Sequence, residues 1–220
     1  MESPLRPTGI TLPRVIETMA WDGQQCIRLQ RHLVRLQRTC TTLAYALDMA
    51  QVHQALQTLP VGAPLRVRLT VGMAGDVELT YAPLAPSAPV WRVALASQPL
   101  RSDDAWLPIK TTERALYDQV RAALPAGVEE MIFCNERGEV CEGTITNVFF
   151  DLGQGMCTPP LSCGLLQGVL REELLANGTC KEQVLPFELL AQARLWVGNS
   201  LRGLIPATLA TLEPFNSLQR

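Results

Sequence analysis

Lysine and histidine are scarce in this chain of 220 residues. Lys110 and Lys181 are the only lysines among 19 basic residues, the rest being arginine, and histidine occurs only at His32 and His53. With two imidazoles, a zinc site or a histidine-based catalytic triad has little to work with. None of the seven cysteines forms a Cys-x-x-Cys pair. Most sit among apolar neighbours and read as reduced, buried thiols. The sequence has no Gly-x-Gly-x-x-Gly, no P-loop and no Gly-x-Ser-x-Gly. No apolar run reaches the roughly 18 residues of a membrane span. The opening "MESPLRPTGITLPR" lacks the apolar core of a signal peptide, so a cytoplasmic protein without a membrane partner is expected. A net charge of −2, with the arginines spread along the chain, gives no footprint for nucleic acid. These absences leave chemistry carried by a cofactor or by a lysine.

The chain is 47% hydrophobic and 18% charged, which suits a globular protein with a real core. "RVIETMAWDGQQCIRL" predicts two strands around a Trp-Asp-Gly-Gln turn. Leu33, Leu36, Cys40, Leu43 and Leu47 recur at helical spacing and predict a helix over residues 30–47. A second helix over 49–59 should end at Pro60. The alternation in "PLRVRLTVGMAGDVELTYAPL", broken by "GMAGD", predicts a hairpin, and "VWRVALASQ" a strand. Thr111 or Thr112 is placed to cap a helix running to about Leu124. "EEMIFCNERGEVCEGTITNVFFDL" predicts three strands. "LLQGVLREELLANG" predicts a helix from Gly168 to Asn177, and "ARLWVGNSLRGLIPATL" a buried strand before a Gly-rich turn. The expected fold is α+β in two lobes, residues 1–105 and 106–220.

Lys110 lies in "WLPIKTTERALYD", between an apolar segment and a helix start. An arginine stays protonated, whereas a desolvated lysine can lose its proton and attack a carbonyl to form a Schiff base. The ordinary reading also stands: an arginine-rich composition leaves two lysines by chance, and most lysines are solvated. Four further features suit a phosphorylated aldehyde cofactor. Glu142 ends a strand, where a carboxylate can face a protonated ring nitrogen. "QGVLRE" and "GNSLRG" offer backbone N–H groups to a phosphate, and Arg35 a formal charge. Singly, each has a plain alternative. Glu142 fits a surface strand end, Gly168 a helix-start glycine, and Arg28, Arg31, Arg35 and Arg38 one solvated helical stripe.

Their order is more specific. "IKTTERALYD…NERGEVCEGTITNVFF…TPPLSCGLLQGVLRE…VGNSLRGLIPA", with "IETMAWDG…LQRHLVRL" before it, resembles the class IV aminotransferases, pyridoxal-phosphate enzymes of fold type IV. The resemblance runs from Val15 to Leu209. "EGTITNVF" carries much of it, together with the lysine of "KTTxR". It implies that Lys110 is the Schiff-base and catalytic lysine and that Glu142 pairs with the pyridine nitrogen. It also implies that Arg35 contacts the phosphate, with the amides of Val169 and Leu170 and the Asn199–Ser200 turn holding its other oxygens. A small-molecule amino substrate and a homodimer are implied as well. "KTTERALYD" and "NSLRGLIPA" read closest to aminodeoxychorismate lyases of the folate branch. A branched-chain or D-amino acid transaminase and a non-catalytic binding protein of the same fold are the alternatives. Two departures stand out. The segment before "IET" is reduced to "TGITLPRV", and Gln167 stands where proline is common.

Overall fold

The computed structural model describes residues 12–210; the signal-peptide expectation rests largely on residues 1–11, outside that range. The chain begins with strand β1 (Val15–Trp21), helices α1 (Leu29–Leu43) and α2 (Met49–Gln57), and strands β2 (Leu65–Val71) and β3 (Val77–Pro83). The three strands form an antiparallel sheet in the order β1-β2-β3. Alternation along β1 and β2 turns Val15, Met19, Leu65, Val67, Leu69 and Val71 toward Leu33, Leu36, Cys40 and Leu43 of α1 and Val52 and Leu56 of α2. Burying each such leucine contributes about 1.5–3 kcal/mol relative to leaving it in water. The opposite sheet face carries Thr18, Arg66 and Arg68.

Two local expectations are corrected here. The second arm of "RVIETMAWDGQQCIRL" is not a strand, and Cys26 makes only an isolated bridge to Trp21. Asp22 Oδ1 accepts from the N–H groups of Gln24 and Gln25, each at 2.8 Å, which tightens the turn. Arg28 then takes a left-handed conformation (φ 59) and starts α1 directly. The helix ends at Leu43 rather than Leu47. Ala44 is left-handed (φ 56), and the N–H groups of Ala44 and Tyr45 bond back to Thr41 and Cys40 at 3.1 and 2.8 Å.

The chain continues through β4 (Trp91–Leu95), α3 (Ala115–Ala122), β5 (Glu130–Cys134), β6 (Val140–Gly143), β7 (Asn147–Asp151), β8 (Cys157–Thr158), α4 (Val169–Ala176), β9 (Lys181–Glu182), β10 (Arg194–Asn199) and β11 (Gly203–Leu209). These strands form one sheet in the order β10-β11-β4-β5-β6-β7-β8-β9, and an additional β10–β7 pairing closes it into a barrel-like ring. Val93, Ile132, Val140, Val148, Phe150, Val197 and Ile205 pack together in its core. No helix among the described residues is long and apolar enough to cross a membrane.

β4 runs parallel to both β5 and β11. Residues 91–95, assigned from sequence to the first lobe, thus hydrogen-bond into the second sheet, and the chain crosses between sheets in the connector 84–90. The "KTT" stretch is tied to the start of β1: the Ile16 N–H donates to the Lys110 carbonyl at 2.9 Å. Neither threonine caps α3. Thr111 Oγ1 accepts from the Glu113 N–H at 3.2 Å, and Thr112 Oγ1 from the Arg14 N–H at 2.9 Å. Their hydroxyls pin the loop instead, and the helix begins later, at Ala115.

Candidate active site

A cavity of about 420 Å³ opens between the N-terminal sheet and the barrel, and Lys110, Glu142, Arg35, Val169, Asn199 and Ser200 all line it. Lys110 follows the apolar Trp106, Leu107 and Ile109, which hold it against the core. Burial, with the neighbouring charges of Arg35 and Arg114, pulls its amine down to about 8; Glu17 and Glu142 act in the opposite sense. At that value a substantial fraction of the amine is neutral near physiological pH. Lys181 is exposed on β9.

Glu142 stands at the end of β6 and is 5% exposed. Burial pushes its carboxyl up to about 7, although Tyr117, the Leu166 N–H, Lys110 and Arg114 all favour the ionised form. The Tyr117 hydroxyl donates to Glu142 Oε1 at 2.7 Å, and the Tyr117 ring packs edge-on against Phe133 at 5.2 Å. The loop after β6 is held from behind by Glu130, which is fully buried. Its carboxylate accepts from the Thr144 and Ile145 N–H groups at 2.9 and 3.1 Å and from the Thr144 and Thr146 hydroxyls at 2.5 and 3.0 Å. Such a set of donors fixes the "EGTIT" turn, and with it the direction of Glu142.

The anion side is built around the start of α4. The first helical bond runs from the Glu172 N–H to the Gly168 carbonyl at 2.9 Å, so the amides of Val169 and Leu170 precede the intrahelical ladder. Gly168 caps the helix without any side-chain hydrogen bond. A Cβ there would overlap Asn147 Oδ1, so only glycine allows this approach. Val169 lines the cavity, while the Leu170 side chain packs with Phe149, Leu174 and Cys180 and leaves only its amide for this role.

Arg35 is not part of a solvated stripe: it is 4% exposed, its Nε and Nη2 donate to Glu17 Oε1 and Oε2 at 2.9 and 2.6 Å, and its Nη1 donates to the Gln167 carbonyl at 3.3 Å. Arg28 pairs with Glu173, and Arg38 with Glu172 at 3.0 Å, so the stripe joins α1 to α4. Burial raises the Glu17 carboxyl, but Arg35 and His32 overcome it and hold the group at about 2. His32 Nδ1 lies 2.5 Å from Glu17 Oε2, and its Nε2 2.7 Å from Ser200 Oγ. Asn199 Oδ1 accepts from the Leu201 and Arg202 N–H groups at 3.1 and 3.0 Å, closing the turn that presents Ser200.

Six of the seven residues expected from sequence line this cavity, Leu170 being the exception, and their supports Glu17, Tyr117 and Glu130 were not among those expected. The only sequence signal for Glu17 was a carboxylate inside the apolar run "VIETMAW", and for Glu130 one directly before "MIF".

The chain is similar to known proteins in sequence and in fold. The family described as amino-transferase class IV matches residues 14–210. A Schizosaccharomyces pombe protein provisionally named aminodeoxychorismate lyase is 31% identical over 179 residues, covering 76% of this chain and 75% of its own. A crystal structure of a provisionally named amino-acid aminotransferase from Mesorhizobium loti is 42% identical, with a TM-score of 0.84 over 90% of this chain and 100% of its own. The 4-amino-4-deoxychorismate lyase of Pseudomonas aeruginosa shares the fold, with a TM-score of 0.75 at 24% identity over 89% of this chain and 82% of its own. The chain belongs to the class IV aminotransferase family.

Proposed function

We propose that this protein is a pyridoxal-phosphate-dependent lyase that converts 4-amino-4-deoxychorismate to 4-aminobenzoate and pyruvate. The observation that carries the reading is the joint placement of Lys110 and Glu142 in one cavity beside the start of α4. The residues present fit the cofactor. Gly168 keeps the approach to the Val169 and Leu170 amides open, Arg35 is held beside it by Glu17, and Ser200 faces the same cavity. A helix N-terminus and a guanidinium are suited to a phosphate dianion. When bound, the cofactor supplies an electron sink for the carbanion formed at the substrate carbon.

The chain's own groups would do the rest. Lys110 would hold the cofactor through its amine and, once displaced by the substrate amine, take the proton from the ring carbon bearing that amine. Glu142 would keep a proton on the pyridine nitrogen, since an adjacent negative charge favours the protonated form. The choice of lyase draws on the name of the fission-yeast relative, 31% identical over 179 residues. A homodimer that closes the site is part of the proposal, and light scattering over a concentration series checks it. The reaction is tested by supplying 4-amino-4-deoxychorismate to the loaded protein without any 2-oxo acid. Release of 4-aminobenzoate and pyruvate in equal amounts is expected. Turnover that depends on a 2-oxo acid acceptor would assign a transaminase instead.

A further inference from the structure

The sheet face that does not pack on α1 and α2 turns into the cavity, and it is basic. Alternation along β2 places Leu65, Val67 and Leu69 in the core and Arg66 and Arg68 on the cavity wall. Neither guanidinium makes a hydrogen bond or an ion pair with another described residue. The other arginines of the cavity make contacts within the protein, Arg202 donating to the Ala85 carbonyl at 3.3 Å. Arg35 is paired with Glu17, and Arg121 lies 3.6 Å from Glu130. Arg114 donates to Asp118 at 2.7 Å and to the Thr144 carbonyl at 2.9 Å. Burial and the charges of Arg114 and Arg66 all work against the Arg68 cation, and Asp118 is the acidic group that offsets them. Arg68 is half-buried and Arg66 exposed; like charges gathered on one wall oppose one another, and an anionic ligand relieves that opposition.

We infer that Arg66 and Arg68, with Arg114 beside them, form a carboxylate-binding wall, so that the preferred substrate is an amine bearing two carboxylates rather than one. The inference rests on the reading of the Lys110 side of the cavity as the reacting side. The anion cradle around Gly168 and Arg35 belongs to different elements, α4 and α1, and leaves the β2 wall free for substrate. A guanidinium fork matches a carboxylate with two parallel hydrogen bonds, which selects for the group's position as well as its charge.

The test uses the cofactor-loaded protein and two unreactive probes, isophthalate with two carboxylates and benzoate with one. The wild-type protein should bind isophthalate at least about tenfold more tightly, and the preference should shrink as salt is raised. In the double variant Arg66→Gln/Arg68→Gln the isophthalate Kd should rise by about tenfold or more, with benzoate changed less and cofactor affinity unchanged. Arg101→Gln, on the surface, should change neither. Equal binding of the two probes by the wild-type protein overturns the inference without any variant. So does an equal loss of both probes in the double variant. The two readings fail separately. Isophthalate discrimination without turnover of 4-amino-4-deoxychorismate keeps the wall and removes the lyase assignment. Turnover with an unchanged KM in the double variant keeps the lyase and removes the wall.

Discussion

The Tyr117 hydroxyl and the Glu142 carboxylate share a 2.7 Å hydrogen bond in a pocket where burial has pushed that carboxyl up to about 7. The donor favours the ionised form, which is the form that can keep a proton on a ring nitrogen. Replacing Glu142 by Gln removes the charge altogether, and turnover should fall by about two to three orders of magnitude with the cofactor still bound. Tyr117→Phe removes only the donor. The carboxyl should then titrate at higher pH, and the acid limb of the kcat profile should move upward with it. A Tyr117→Phe profile that overlays the wild type would contradict this link.

The Lys110 amine, held at about 8, sets a second pH dependence. Only the neutral amine attacks a carbonyl. Its fraction rises about tenfold between pH 7 and pH 9 for a group of this pKa, whereas an ordinary lysine would still be almost fully charged. Attachment of added pyridoxal phosphate, followed by the imine absorbance, should accelerate over this window and then level off. A rate still climbing steeply beyond pH 10 would show an unperturbed lysine.

Gly168 should not tolerate a side chain. A Cβ there meets Asn147 Oδ1, and the Asn147 amide is itself committed to the Leu166 carbonyl at 2.9 Å. Gly168→Ala should destabilise the fold by about 1–3 kcal/mol, as overpacking does, and weaken cofactor binding by shifting the start of α4. Gly178→Ala is the comparison, since a Cβ at Gly178 meets nothing within 4 Å even though its φ of +74 adds backbone strain. Denaturant unfolding and cofactor titration of both variants check it. Unaltered cofactor affinity in Gly168→Ala would remove the cradle from the account.

Much of this was legible in the sequence because it is local. The β2–β3 hairpin follows from alternation around "GMAGD", and α4 from Gly168 and Asn177 at its two ends. Lys110, Glu142 and Arg35 were singled out through the wording of their motifs, and the fold brings them to one cavity. What escaped was mostly long-range. β4 pairs in parallel with β5 and β11, and nothing in "WRVAL" says which sheet it joins. Leu47 continues the helical spacing, yet α1 stops at a left-handed Ala44, a residue with no turn signature of its own. Glu17 and Glu130 look like ordinary strand carboxylates until His32, Arg35, Thr144 and Thr146 arrive from elsewhere in the chain.

Lys110 would hold the cofactor through its amine, and borohydride reduction followed by peptide mapping reads that bond out on the protein itself. Reduction of the pyridoxal-phosphate-loaded protein should fix the cofactor permanently on the peptide containing Lys110. Lys110→Ala should abolish the label, and Lys181→Ala should leave it in place. A label on Lys181, or full labelling of Lys110→Ala, would contradict the account.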